Sequence, residues 1–205
     1  MSYTVMNCFH WIGFHIVNYL LETGHHVEGV DDLSSNKKEH LAMFLGRNSS
    51  FTRTSKDKPI QNESVIFLGE NNFYQDIEAK QILNITKRGA SKTPPANIIT
   101  IHPPLLFGEW MPMDEKGIYD KEQRILFESS YFLTEAVYIK DFISSMFRIH
   151  HLVNIPSVLD MYSQNSIENK TEKLENKIFI REIKSTRKSV DHVLNHYRQF
   201  KNFYE

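Results

Sequence analysis

Val5-Met6-Asn7-Cys8-Phe9-His10-Trp11-Ile12-Gly13-Phe14-His15 decides the fold. The residues leading into it, Tyr3-Thr4-Val5-Met6, are β-prone, and Asn7 to Trp11 interrupt them. Beyond the turn, Ile12, Ile16, Val17, Leu20 and Leu21 recur at helical spacing as far as Gly24, a C-terminal stop. Val27-Glu28-Gly29-Val30 then reads as a second strand ending at Asp31-Asp32. A strand, a helix and a strand within about 30 residues make a βαβ unit, whose strands are parallel and whose crossover is right-handed. An α/β fold follows.

Outward from this unit the same reading continues. Leu41 to Leu45 looks helical, and Ser49 to Thr54 contains a short strand. Ser55 to Glu63 is a polar loop, and Val65-Ile66-Phe67-Leu68, closed by Gly69, is a buried strand. Ile77, Ile82, Leu83 and Ile85 are assigned to a helix stopping near Gly89. Ile98 to Ile101 forms a strand closed by Pro103-Pro104, and Phe142 to Leu152 a helix. Val190, Val193, Leu194, Tyr197 and Phe200 or Lys201 trace the apolar stripe of a terminal helix, with Ser185 or Thr186 as its cap. No internal repeat or low-complexity segment is visible.

Composition removes several function classes. Of 205 residues, 40% are hydrophobic and 24% charged, an ordinary globular balance. Lys+Arg 24 against Asp+Glu 25 leaves a net charge of -1, without the single-sign field that nucleic acid or an anionic membrane would need. No apolar run approaches the ~20 residues that cross a bilayer. One cysteine makes no internal disulfide and fits a reducing compartment, and no secretion signal opens the chain. A cytoplasmic location is the expectation.

The order of these pieces resembles the extended short-chain dehydrogenase/reductases, the NAD-dependent nucleotide-sugar epimerases and dehydratases. Their opening turn reads Thr-Gly-Gly-x-Gly-Phe-Ile-Gly-Ser, to which Val5 to His15 is similar. The likeness continues through Leu20 to Val27 and through Gly29-Val30-Asp31-Asp32-Leu33-Ser34-Ser35. Glu78-Ala79-Lys80-Gln81-Ile82-Leu83 resembles the helix after the family's catalytic tyrosine. Ile99 to Gly108 is similar to its strand entering a Tyr-Gly-Pro turn, Val137-Tyr138-Ile139-Lys140-Asp141-Phe142 to its Tyr-Val-x-Asp element, and Ser189 to Tyr197 to its closing helix. The resemblance implies a Rossmann-like parallel sheet flanked by helices. It further implies a cofactor, NAD, and a nucleotide or nucleotide-sugar ligand.

The departures shape the functional expectation. In the family's G-x-x-G-x-x-G turn, the first glycine bends the chain, the second admits the pyrophosphate and the third packs helix on strand. Here Asn7, His10 and Gly13 stand at those positions. Asn tolerates positive φ, so Asn7 keeps the bend. His10 places a side chain where phosphate would approach. Either it donates to a phosphate on the helix N-terminus, or the turn is a relic that holds no dinucleotide. The implied cofactor-binding set is Asn7, His10, Trp11, Ile12, Gly13, Asp31 and Asp32. Asp31, eighteen residues past Gly13, is placed for the adenosine ribose, and Asp32 beside it would repel a 2′-phosphate, favouring NAD over NADP.

The family's proton-transfer pair, a tyrosine and a lysine four residues on, has no counterpart. Aligning on Glu78 to Gln81 puts Asn72 and Asp76 in its place. Tyr74 and Lys80 are six apart, out of register on a helix. The lone Tyr-x-x-x-Lys, Tyr197 to Lys201, lies in the wrong part of the order. No catalytic residue and no metal site are assigned. His192 and His196 stand four apart, but Val193 occupies the second position of a His-Glu-x-x-His arrangement.

Asp31 to Phe107 is also short for the family, so the nucleotide portion is expected to be truncated. The whole chain, 1–205, is read as one degenerate nucleotide-binding domain with a reduced substrate-domain remnant around 108–175. The functional expectation is an epimerase/dehydratase-like protein without redox catalysis, with weak nucleotide binding or a regulatory role, and a homodimer. The alternatives are an active NAD-dependent enzyme using Tyr74 or Tyr138 in a rearranged site, and a structural interaction module.

Overall fold

The computed structural model describes residues 1–55, 60, 64–69, 77, 79–87, 97–150, 155–166 and 176–204. They form two compact units, one of Met1–His102 with Ile155–Leu159, the other of Pro103–Asn154 with Asp160–Glu205.

The first unit opens with β1 (Ser2–Met6), α1 (Trp11–Glu22) and β2 (His26–Val30), the βαβ unit expected from its sequence. β1 and β2 pair in parallel, Val5 opposite Gly29. α1 buries Phe14, Ile16, Val17 and Leu20 and ends where Gly24, at φ 82, lets the His25 N–H reach back to the Leu20 carbonyl. α2 (Asn36–Leu45) starts at Ser35, whose hydroxyl accepts the Lys38 N–H, and buries Leu41 and Leu45. β3 (Phe51–Thr54) follows, then β4 (Ser64–Leu68), β5 (Gln81–Ile85) and β6 (Ile98–His102).

All of these strands run parallel, β1 lying between β2 and β4. The order therefore reverses at β1/β4, the kind of point where ligands bind beyond the carboxyl ends of strands. β4 is buried at every position, as expected of a strand covered on both faces.

One assignment is corrected. Ile82, Leu83 and Ile85 belong to strand β5, paired with β4 and β6, and not to a helix. The run is five residues, alternating Ile82 and Asn84 with Leu83 and Ile85, too short to establish a helical period. The alignment of Glu78 to Leu83 with the family's post-tyrosine helix fails with it. The residues that this alignment put in the proton-transfer positions, Asn72 and Asp76, lie outside the described residues, as does Tyr74.

The second unit contains β7 (Leu105–Phe107), paired in parallel with β10 (Ala136–Tyr138), and the hairpin β8 (Gly117–Asp120) and β9 (Gln123–Leu126). α3 (Ser130–Glu135), α4 (Ile139–His150) and α5 (Thr186–Gln199) supply its helices. Ser185 is the N-cap residue of α5, and Val193 and Tyr197 form its buried stripe. β11 (Val158–Ser163) pairs in parallel with β12 (Lys177–Ile180). In the first unit the parallel strands are ordered β6-β5-β4-β1-β2-β3. This is the Rossmann-like α/β class expected. Among the described residues no helix is long and apolar enough to cross a membrane.

Candidate functional site: the β1–α1 turn

The turn at residues 7–13 is built as its spacing implies. Asn7 takes φ 55, the left-handed conformation that its side chain tolerates. Its N–H donates to the Val30 carbonyl at 2.8 Å, and its amide Nδ2 donates to the Leu68 carbonyl at 3.2 Å. Asn7 thus ties β1 to β2 and to β4 at the point of strand reversal. Gly13 provides the close approach, because a Cβ there would meet the Asn7 carbonyl oxygen at 2.4 Å and Leu68 Cδ1 at 2.9 Å. Both glycine roles that govern backbone path are therefore preserved, one by Asn and one by Gly.

The second position behaves differently. His10 is the N-cap of α1, extended at φ -66 and ψ 144, and its Nδ1 accepts the Ile12 N–H at 3.4 Å. Desolvation by the surrounding protein and the Lys37 charge hold its pKa down to about 4. The neutral ring is thus an acceptor on a helix N-terminal N–H, the kind of group that a phosphate oxygen would otherwise take. Trp11 is the first helical residue and is half-buried.

Asp31 closes the other side. Its side chain is 1% exposed. Oδ2 accepts the Phe9 N–H at 2.9 Å, while Oδ1 accepts the Asp32 N–H at 2.8 Å and Lys38 Nζ at 2.9 Å. Lys38 also lies 2.6 Å from Asp32 Oδ1, which the Ser34 hydroxyl shares. Hydrogen bonds from Lys38 and Ser34 hold the exposed Asp32 carboxyl well below the usual carboxylate range. Cys8 is buried beneath the turn, and burial with the Asp31 charge pushes its thiol far above the ordinary value, so it is an inert apolar thiol.

All seven residues expected at a dinucleotide site thus gather at one turn and strand end. The residues fit the backbone path that a dinucleotide requires. The polar groups that would hold it are engaged by His10, Phe9 and Lys38 of the chain itself. Lys38 was missed in the sequence because its position on the first turn of α2 depends on the Ser35 cap.

No family-like proton-transfer pair is assembled among the described residues. β5 and β6 are joined by residues 86–97, twelve positions without a tyrosine. Tyr197 is 7% exposed in α5, whereas Lys201 follows the end of that helix in a separate 3-10 turn. The Tyr138 hydroxyl donates to both oxygens of Glu109 at 2.9 and 3.1 Å, and burial with the Glu109 charge raises its pKa far above the ordinary phenol value. A general base needs the opposite shift.

Two further features escaped the sequence reading. Asn84 Oδ1 and Thr86 Oγ1, on one face of β5 and just past its end, are buried with no hydrogen-bond partner among the described residues. Polar residues inside Gln81-Ile82-Leu83-Asn84-Ile85-Thr86 were the available signal. In the second unit, Glu109 is 5% exposed and takes His192 Nε2 at 3.0 Å besides Tyr138, next to Trp110 at φ 66. His192 and His196 engage separate partners, Glu109 and the Tyr204 hydroxyl, and no group of three or more His, Cys, Asp or Glu among the described residues could hold a metal ion.

No family model matches the sequence, and no curated protein matches it. Solved structures do. The dTDP-glucose 4,6-dehydratase of Bacillus anthracis, in complex with NAD, aligns over 99% of this chain and 98% of its own at 10% identity, with a TM-score of 0.63. A UDP-galactose 4-epimerase aligns over 97% and 99% at 10% identity, TM-score 0.61. The yeast methylglyoxal/isovaleraldehyde reductase, complexed with NADPH, aligns over 98% and 100% at 13% identity, TM-score 0.59. The match runs nearly end to end in each pair, and at 205 residues this chain is short beside these neighbours. The chain has the fold of the extended short-chain dehydrogenase/reductases.

Proposed function

We propose that this chain is an epimerase/dehydratase-like protein that binds a nucleotide weakly at the β1–α1 turn and does not carry out redox catalysis. The carrying observation is that the chain engages the polar groups of the turn itself: the His10 ring accepts the Ile12 N–H, and the Asp31 carboxylate accepts the Phe9 and Asp32 N–H groups and Lys38 Nζ. A dinucleotide would have to exchange with these contacts. NAD is the favoured cofactor in this reading, because Asp31 would accept from the adenosine ribose and Asp32 beside it would repel a 2′-phosphate. A nucleotide sugar is the second ligand class, since similar structures include one solved with UDP-glucose.

The same proposal includes the domain reading, one degenerate nucleotide-binding domain with a reduced substrate portion around 108–175. It also includes a cytoplasmic homodimer, which light scattering tests. Titrating NAD and UDP-glucose while following the melting temperature tests the site, since ligand at 100 times its dissociation constant adds ~2.7 kcal/mol of stability. Weak binding of NAD without hydride transfer is expected. Turnover of a nucleotide sugar with reduction of NAD would favour the second reading, an active enzyme, for which the unpartnered buried Thr86 hydroxyl is the supporting feature.

A further inference from the structure

The Asp31 carboxylate has about four acceptor sites. Oδ1 carries two donors, the Asp32 N–H and Lys38 Nζ, and Oδ2 carries the Phe9 N–H. That leaves one site, on Oδ2 of a side chain 1% exposed, too few for the two hydroxyls of a ribose diol. The three donors are not equivalent. Phe9 and Asp32 present backbone N–H groups fixed by the turn and by the end of β2, and neither can leave without rebuilding the backbone. Lys38 is a flexible side chain, 26% exposed, and can swing into water at the cost of its two ion pairs.

We infer that Lys38 sets the affinity of this site, an internal competitor that covers the Asp31 carboxylate and that a ribose 2′,3′-diol must displace. This rests on the proposed nucleotide site and adds to it the group that sets its affinity. Lys38 reaches both acids from the first turn of α2, where the Ser35 hydroxyl caps its own N–H. Its effect falls on the ribose rather than on the diphosphate, so adenosine, which carries no phosphate, reports it as well as NAD does.

The test is calorimetric titration of adenosine and of NAD into the full chain and into Lys38→Met, Lys38→Gln and Lys37→Met. Lys37→Met removes the same charge from the neighbouring position. Both Lys38 variants are expected to bind adenosine and NAD about fivefold more tightly than the unaltered chain, as removal of a competing closed state requires, while Lys37→Met does not tighten. Binding by the Lys38 variants alone supports the same conclusion. If the unaltered chain binds and the Lys38 variants bind equally or less well, or if Lys37→Met tightens as much, the competitor role is overturned and the nucleotide site stands. If no folded protein of the set binds either ligand, both the site and the competitor are overturned. Melting curves of the unliganded proteins establish that each variant is folded.

Discussion

A Cβ on Gly13 would lie 2.4 Å from the carbonyl oxygen of Asn7, closer than packed atoms come. The two residues fix how α1 leaves β1. Asn7 turns the chain through a left-handed conformation, and Gly13 lets the first helical turn rest on the bend so formed.

Gly13→Ala is therefore expected to lower stability by about 2 kcal/mol, in the range for an overpacked site whose neighbour is backbone. Urea denaturation measures it. A change below a few tenths would mean that α1 shifts freely on β1.

Asn7→Ala is expected to cost about 1–2 kcal/mol, combining the left-handed penalty of a residue with a Cβ and the lost bond to Leu68. Asn7→Gly removes only the bond and is expected to cost less. The difference between the two variants isolates the backbone contribution; equal losses would place the whole effect in the side-chain amide.

His10→Gly restores a glycine at the position that now caps α1. Gly is only a few tenths of a kcal/mol poorer than a good N-cap, so the unliganded melting temperature is expected to stay nearly unchanged. NAD should bind about tenfold more tightly once the Ile12 N–H is released, a gain of roughly 1.4 kcal/mol. Weaker binding would show instead that the imidazole donates to the phosphate.

The Tyr138 phenol is raised by burial and by Glu109, so its protonated form is retained after the unfolded chain has begun to ionise. Its stabilisation is complete below the ordinary phenol pKa of about 10 and is lost as pH rises from there toward the folded value. Tyr138→Phe is expected to flatten the alkaline fall in stability by about one proton's slope. At neutral pH the same variant should cost about 1–3 kcal/mol by taking a donor from the buried Glu109. An unchanged alkaline slope would remove the coupling; Tyr204, raised by its own burial, is the control position.

How much of this was legible in the sequence follows from how local each signal is. β1, α1 and β2 were readable because a helical period and a stop at Gly24 bracket the turn, and Asn7 was readable because a positive φ has few residue choices. The β4 run Val65 to Leu68 was readable by composition alone. β5 was not, because Ile82, Leu83 and Ile85 fit either period and only pairing with β4 and β6 decides. The β8–β9 hairpin, with Lys121 at φ 57 in its turn, lacked an Asn-Gly or Asp-Gly signature. Around the site, the seven residues were placed by spacing, but their engagement was not: Lys38 meets Asp31 only through the geometry of a capped helix, and His10 caps its own helix through a rotamer that no spacing encodes.

The central claim is that a preserved turn is closed by its own side chains. Calorimetric titration of NAD into the unaltered chain and into His10→Gly/Lys38→Met measures it most directly. The account predicts weak binding to the first and binding tighter by more than about tenfold to the second. Tight binding by the unaltered chain, unchanged or weakened in the double variant, would contradict it.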